Sequence, residues 1–139
     1  MSGAPPTLLY DGDCAFCARS VQFVLAHDRR RRDLRFASRQ GAAGSTVLAR
    51  HPAAAATDSL VWVDATGAEE RALVKYRAVR AIARYLGGPW GALGALGGVV
   101  PTLVGDRIYD IVARHRHRLG GGVPACVVFT ADERARVLD

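Results

Sequence analysis

Cysteine is scarce in this 139-residue chain. It has three, and an odd number excludes a fully paired disulfide scaffold. The opening residues, Met1 to Pro6, lack the basic and apolar regions of a secretory signal, so the expected location is cytoplasmic. In that compartment a close cysteine pair is more often catalytic or metal-binding than structural. Aromatic residues are sparse too, at 7%. They are not interleaved with the basic runs Arg29-Arg30-Arg31-Arg32 and Arg114-His115-Arg116-His117-Arg118, so nucleic acid is set aside as a partner. The net charge of +6 rests mainly on arginine. It is read as cations at helix C-termini and on solvated faces, with a basic interaction protein as an alternative. Charge is missing altogether from Leu86 to Gly105, but the glycines there, with Pro89 and Pro101, make a poor membrane-spanning helix. No transmembrane span is expected. That stretch is read as packed on the domain or resting on a partner, and peripheral contact with a membrane surface stays open.

Half of the residues are apolar, enough to fill one core, and the whole chain, 1–139, is read as a single domain. Thr7 to Tyr10 is a short apolar run with the character of a buried strand. Asp11-Gly12-Asp13 breaks it, with Asp13 a plausible N-cap. From Cys14 a helix fits, because Cys17, Ala18, Val21, Val24 and Leu25 recur at helical spacing. Leu34-Arg35-Phe36-Ala37 reads as a second strand, and Ser45 to Arg50 as a short helix stopped before Pro52. Leu60 to Val63 is the clearest strand, and a turn from Asp64 to Glu69 leads into another around Ala72-Leu73-Val74. Val79, Ile82, Ala83 and Leu86 then mark an apolar helical stripe that ends at Gly87-Gly88-Pro89, with Arg77, Arg80 and Arg84 on a solvated face. The order βαβαββα predicts an α/β fold with a thioredoxin-like mixed sheet, its core about residues 7–88. A helical C-terminal extension, about 89–139, follows. Pro101 opens a helix in which Val104, Ile108, Ile111, Val112, His115 and Leu119 share a face. Thr130 to Glu133 has capping-box spacing for a short terminal helix.

The chemistry falls on Cys14 and Cys17. Two cysteines three apart at a helix start lie on nearly one face, close enough to close a small disulfide ring. The attacking species is the thiolate, and helix N-termini favour anions. Cys14, in the first turn, is read as the nucleophile that forms the mixed disulfide, and Cys17 as the resolving thiol. Asp11 and Asp13 act both ways. A carboxylate beside a thiolate opposes its ionisation, yet it can also take the proton of the resolving thiol. The substrate class is a disulfide-containing protein or a small thiol, with no bound cofactor. A zinc module is the alternative. It would need two further ligands, for which Cys126, His51, His115 and His117 are the candidates. Cys126 is otherwise read as a packed core thiol. Phe16 and Phe23 contact a partner or pack under the terminal helices.

Asp11-Gly12-Asp13-Cys14-Ala15-Phe16-Cys17, preceded by Leu8-Leu9-Tyr10, resembles the DxxCxxC signature of the DCC family of predicted thiol–disulfide oxidoreductases. Leu86-Gly87-Gly88-Pro89-Trp90, Pro101, Tyr109-Asp110, Cys126 and the ending Glu133 to Leu138 extend the likeness along nearly the whole chain. It implies a thioredoxin-like domain with a redox role for Cys14 and Cys17. Two departures stand out. Tyr76-Arg77 occupies the place where family members often carry Ser-Asp. Ala56-Thr57-Asp58-Ser59 precedes Leu60, where thioredoxins place a cis-proline.

Overall fold

Strand β1, Thr7–Tyr10, lies inside the sheet, and both of its central leucines are fully buried. That double burial requires cover on both faces, and the rest of the fold supplies it. The computed structural model describes residues 6–11, 15–28, 33–57, 60–64, 69–114 and 134–138, with 15–18 and 113 by backbone alone. Strands β2 (Arg35–Ser38), β3 (Val61–Asp64) and β4 (Arg71–Val74) join β1 in the order β2-β1-β3-β4. β1 and β2 are parallel, whereas β1–β3 and β3–β4 are antiparallel.

Side chains of successive strand residues point to opposite faces. Leu8, Tyr10, Phe36 and Trp62 therefore share one core with α1 (Ala15–His27) and α4 (Lys75–Leu86). Leu9, Ala37, Val61 and Val63 share the other with α2 (Ala42–Ala49) and α3 (Pro52–Ala55). Each fully buried Leu or Val contributes roughly 1.5–3 kcal/mol. The expected thioredoxin-like mixed sheet is the architecture found. α5 (Gly88–Leu96), a short 3₁₀ turn and α6 (Thr102–Arg114) extend it, both helices packing on α4. No helix among the described residues is long and apolar enough to cross a membrane.

Several elements differ from expectation. α2 begins at Ala42, earlier than the predicted Ser45, since alanine and glycine carry no apolar period. α4 buries Ala78, Ile82, Tyr85 and Leu86, while Val79 is 42% exposed. The buried face turns toward Tyr85 because that hydroxyl finds partners inside. It donates to Asp28 Oδ2 (2.8 Å) and accepts from the amides of Leu34 (2.9 Å) and Asp33 (3.0 Å). Burial, reinforced by Asp28, pushes the phenol well above its usual range. Arg80 is not simply solvated, because its Nε donates to the Gly94 carbonyl at 3.1 Å.

The end of the chain returns to the sheet. Val137 bridges Phe36 in parallel, with Phe36 N–H donating to Arg136 O and Leu138 N–H to Phe36 O, both at 2.9 Å. This covers the outer edge of β2, which would otherwise present unpaired backbone groups. Arg136 then reaches inward. Its Nη2 pairs with Asp28 Oδ2 at 2.5 Å, its Nε donates to Leu34 O at 2.8 Å, and its guanidinium lies 5.4 Å from the centre of the Phe36 ring. The Asp28 side chain has no solvent exposure. The predicted helix at Thr130–Glu133, the glycines 120–122 and the first arginine run lie outside the described residues.

A second ion cluster joins the α2–α3 layer to β4. Glu70 accepts from Arg50 Nε and Nη2 (3.1 and 3.0 Å), and one of its oxygens lies 2.7 Å from His51 Nε2. The hydrogen bonds from Arg50, then His51, hold the Glu70 carboxyl below the usual carboxylate range.

Two outcomes follow. Arg136→Met strands a buried carboxylate and should destabilise the protein by about 3 kcal/mol. Asp28→Asn in the same chain should recover part of that loss. Urea unfolding measures both, and a single-variant loss below about 0.5 kcal/mol would refute the role assigned to Arg136. A carboxylate whose folded pKa is lowered stabilises the fold above its unfolded pKa, about 4.3, and loses that contribution as pH falls. The urea-midpoint gap between wild type and Glu70→Gln should therefore narrow from pH 5 to pH 3. A constant gap would show that the cluster does not act through Glu70 ionisation.

Candidate active site

Parallel pairing of β1 and β2 sets Tyr10 opposite Ser38, so the residues after both strands emerge at one edge of the sheet. The Arg39 amide donates to Tyr10 O at 2.8 Å and ties the two exits together. Gln40 follows. Its amide donates to Ser38 Oγ (3.3 Å), its Oε1 accepts from that hydroxyl (2.8 Å), and its Nε2 donates to Asp11 Oδ1 (2.8 Å). Asp11, half-buried at the end of β1, is thus oriented by a side chain 29 residues away. α2 supports this turn from close range: a Cβ on Gly44 would stand 2.0 Å from the Ser38 carbonyl oxygen, so only glycine fits.

α1 begins at Ala15, four residues beyond Asp11. Cys17 is in its first turn, where backbone amides lack intrahelical partners and the helix dipole favours negative charge. Cys14 immediately precedes the helix in the chain. Cys14, Asp13 and the Cys17 thiol lie outside the described residues, as do the Phe16 side chain, Cys126, His115, His117 and Asp58-Ser59. Among the described residues no three His, Cys, Asp or Glu side chains gather as a metal-ligand set. His51, the remaining zinc candidate, is taken up by Glu70, which precedes Arg71 at the opposite end of the sheet from Asp11.

The same edge receives the start of β3 and the end of β4, since Val61 pairs with both Leu9 and Val74. α6 closes over it. The Tyr109 hydroxyl accepts from Leu60 N–H (3.3 Å), Asp106 Oδ1 accepts from Tyr76 N–H (3.1 Å), and Asp110 pairs with Lys75 (3.0 Å). Lys75 turns β4 directly into α4 with φ 53°, a left-handed conformation that costs a non-glycine residue of order 1–3 kcal/mol. Tyr76, one of the departures from the family pattern, acts as a bolt. Its hydroxyl donates to Gly97 O at 2.8 Å, and its ring lies against Gly105, where a Cβ would come within 2.2 Å.

Between α1, α4, α5 and α6 runs an apolar groove of about 840 Å³, lined by residues that include Phe23, Val24, Leu60, Ile82, Trp90 and Ile108. Phe23 stacks on His27 (centroids 4.1 Å) and meets Trp90 edge-on (5.1 Å), which places it at the seam with α5. Ser20 on the groove wall is one helical turn beyond Cys17. Sequence reasoning missed Gln40, for which the parallel βαβ pattern held a signal, since polar residues just after β2 must fall beside those just after β1. Tyr109 was noted there only as part of the family likeness, and its contact with Leu60 had no local signal.

Residues 8–122 match the profile of the DCC1-like thiol-disulfide oxidoreductase family. Over 122 residues the chain is 34% identical to a chloroplastic DCC family protein of Arabidopsis thaliana, covering 87% of this chain and 68% of that one. Over 132 residues it is 29% identical to the uncharacterized protein YuxK of Bacillus subtilis strain 168, covering 94% and 92%. No solved structure matches the chain.

Proposed function

The chain belongs to the DCC1-like thiol-disulfide oxidoreductase family, and from that premise we propose that it exchanges a dithiol for a disulfide through Cys14 as nucleophile and Cys17 as resolving thiol. The observation that carries the reading is the start of α1. A 13-residue helix opens directly after the central strand, with one cysteine in its first turn and the other just before it.

The Cys14 thiolate attacks one sulfur of a substrate disulfide, forming a mixed disulfide and expelling the other substrate sulfur as a thiolate. Cys17 then loses its proton and attacks Cys14 Sγ. The Cys14–Cys17 disulfide forms and the second substrate thiol leaves. Two electrons and two protons pass to the substrate, and an external dithiol restores the pair. In a reducing compartment such as the cytoplasm the net direction is reduction of the substrate. Asp11 is the acceptor for the Cys17 proton, and Gln40 orients its carboxylate toward that task. Asp13 serves first as N-cap and only second as a helper. The groove beside α1 offers an apolar seat for the side chains that flank a substrate disulfide.

Cys17→Ser, mixed with a disulfide substrate, should accumulate a mixed disulfide at Cys14 detectable by mass. Cys14→Ser should form none and lose dithiol-dependent reduction; full retention of that activity would sink the assignment. Asp11→Asn should slow turnover by about 10²-fold through the resolving step, so that the mixed disulfide builds up in the steady state. Gln40→Leu should slow the same step by a smaller amount. Unaltered turnover and no build-up of the mixed disulfide in both variants would remove Asp11 from the mechanism.

A further inference from the structure

α5 is turned inside out relative to an ordinary surface helix. Such helices bury leucine and expose small or polar residues. Here the glycines face inward: a Cβ on Gly94 would lie 2.9 Å from Arg84 Cγ and 3.1 Å from Ala83 Cβ, and one on Gly97 would lie 2.7 Å from the Tyr76 hydroxyl. This close approach to α4 turns the large residues out. Leu93 and Leu96 are 58% and 65% exposed, and the following turn into α6 adds Val99 at 80% and Leu103 at 85%. Contiguous apolar residues exposed to this degree mark an interaction surface.

The charge beside this tip is basic. No Asp or Glu occurs between positions 76 and 105, whereas Arg77, Arg80 and Arg84 do. Arg77 and Arg84 are exposed on α4, and Arg80 and Arg84 lie along its seam with α5. Beyond the stretch, Asp106 accepts from Tyr76 N–H and Asp110 is neutralised by its ion pair with Lys75, while Arg107 is exposed. A second copy docking on the same patch would bring these arginines against one another. An anionic lipid surface meets both features at once, taking the leucines into the headgroup–acyl boundary and the arginines against phosphates.

We propose that residues 88–104, with the arginines of α4, form a peripheral docking surface for anionic membranes. The test is sedimentation of the full chain with vesicles of phosphatidylcholine containing about one-third phosphatidylglycerol, beside vesicles of phosphatidylcholine alone. Binding to the anionic vesicles, weakened by salt and weaker still on neutral ones, is expected. Leu96→Gln with Leu103→Gln should lower the partition coefficient about tenfold or more while leaving the thermal midpoint and the dithiol exchange in solution unchanged. Arg77→Gln with Arg84→Gln should remove much of the salt dependence. Absence of binding to anionic vesicles at low salt would overturn the proposal, as would binding indifferent to the leucine substitutions. A dimer seen by light scattering that dissolves with those same substitutions would assign the patch to a second copy instead.

Discussion

Asp28 stands where α1 ends, with its carboxylate sealed from solvent. A helix C-terminus is the unfavourable pole for negative charge, and an unpaired buried carboxylate costs several kcal/mol. The compensation comes from far along the chain. Tyr85, 57 residues on, and Arg136, 108 residues on, both donate to the same oxygen, Oδ2. Tyr85 also holds the amides that lead into β2, and Arg136 holds the Leu34 carbonyl. One carboxylate thereby sets the relative positions of α1, α4, the entry to β2 and the returning chain end. A buried ion cluster of this kind is costly to break from one side, although apolar residues of equal volume would stabilise comparably.

The arrangement matters because α1 is fixed at both of its ends. At its start the exit of β1 and the Gln40–Asp11 contact define where the chain enters the helix. At its far end the Asp28 cluster stops it from sliding. In between, Val21 and Val24 are fully buried against Leu8 and Phe36. A redox dithiol needs a stable backbone frame, because a small disulfide ring tolerates little displacement of the two Cα atoms.

Local pattern revealed much of this frame and long-range pairing almost none of it. β1, β3 and the hairpin to β4 were legible because short β-rich apolar runs bounded by turn residues have few other readings. α1 and α4 were legible from their period. α5 was legible only as part of a helical extension without bounds of its own: its glycines read as making a poor membrane-spanning helix, whereas packed against α4 they are what permits close contact. The stripe of α4 was misplaced toward Val79 because the burial of Tyr85 depends on Asp28, Asp33 and Leu34, which no local window contains. The cysteine pair was legible as a motif, and Asp11 as its neighbour. Gln40 was not, since its signal lay in the parallel pairing of β1 with β2 rather than in its own neighbourhood.

Rigidity is also how the chain end bears on the thiols. The alternative is electrostatic, with Arg136 cancelling a charge at one pole of α1 and thereby altering the field at the other. Thirteen residues at about 1.5 Å each separate the poles by about 20 Å. Asp28 is buried and little screened by salt, but within the cluster its charge is paired with Arg136, and a paired charge gives only a weak field at that distance. Only a small residue of the Asp28 or Arg136 field would reach a cysteine there. The helix-dipole effect at the start of α1 is that of the first turn itself, and it falls off within that turn. The C-terminal segment therefore bears on the start of α1 by position rather than by charge, holding the helix in register with β1.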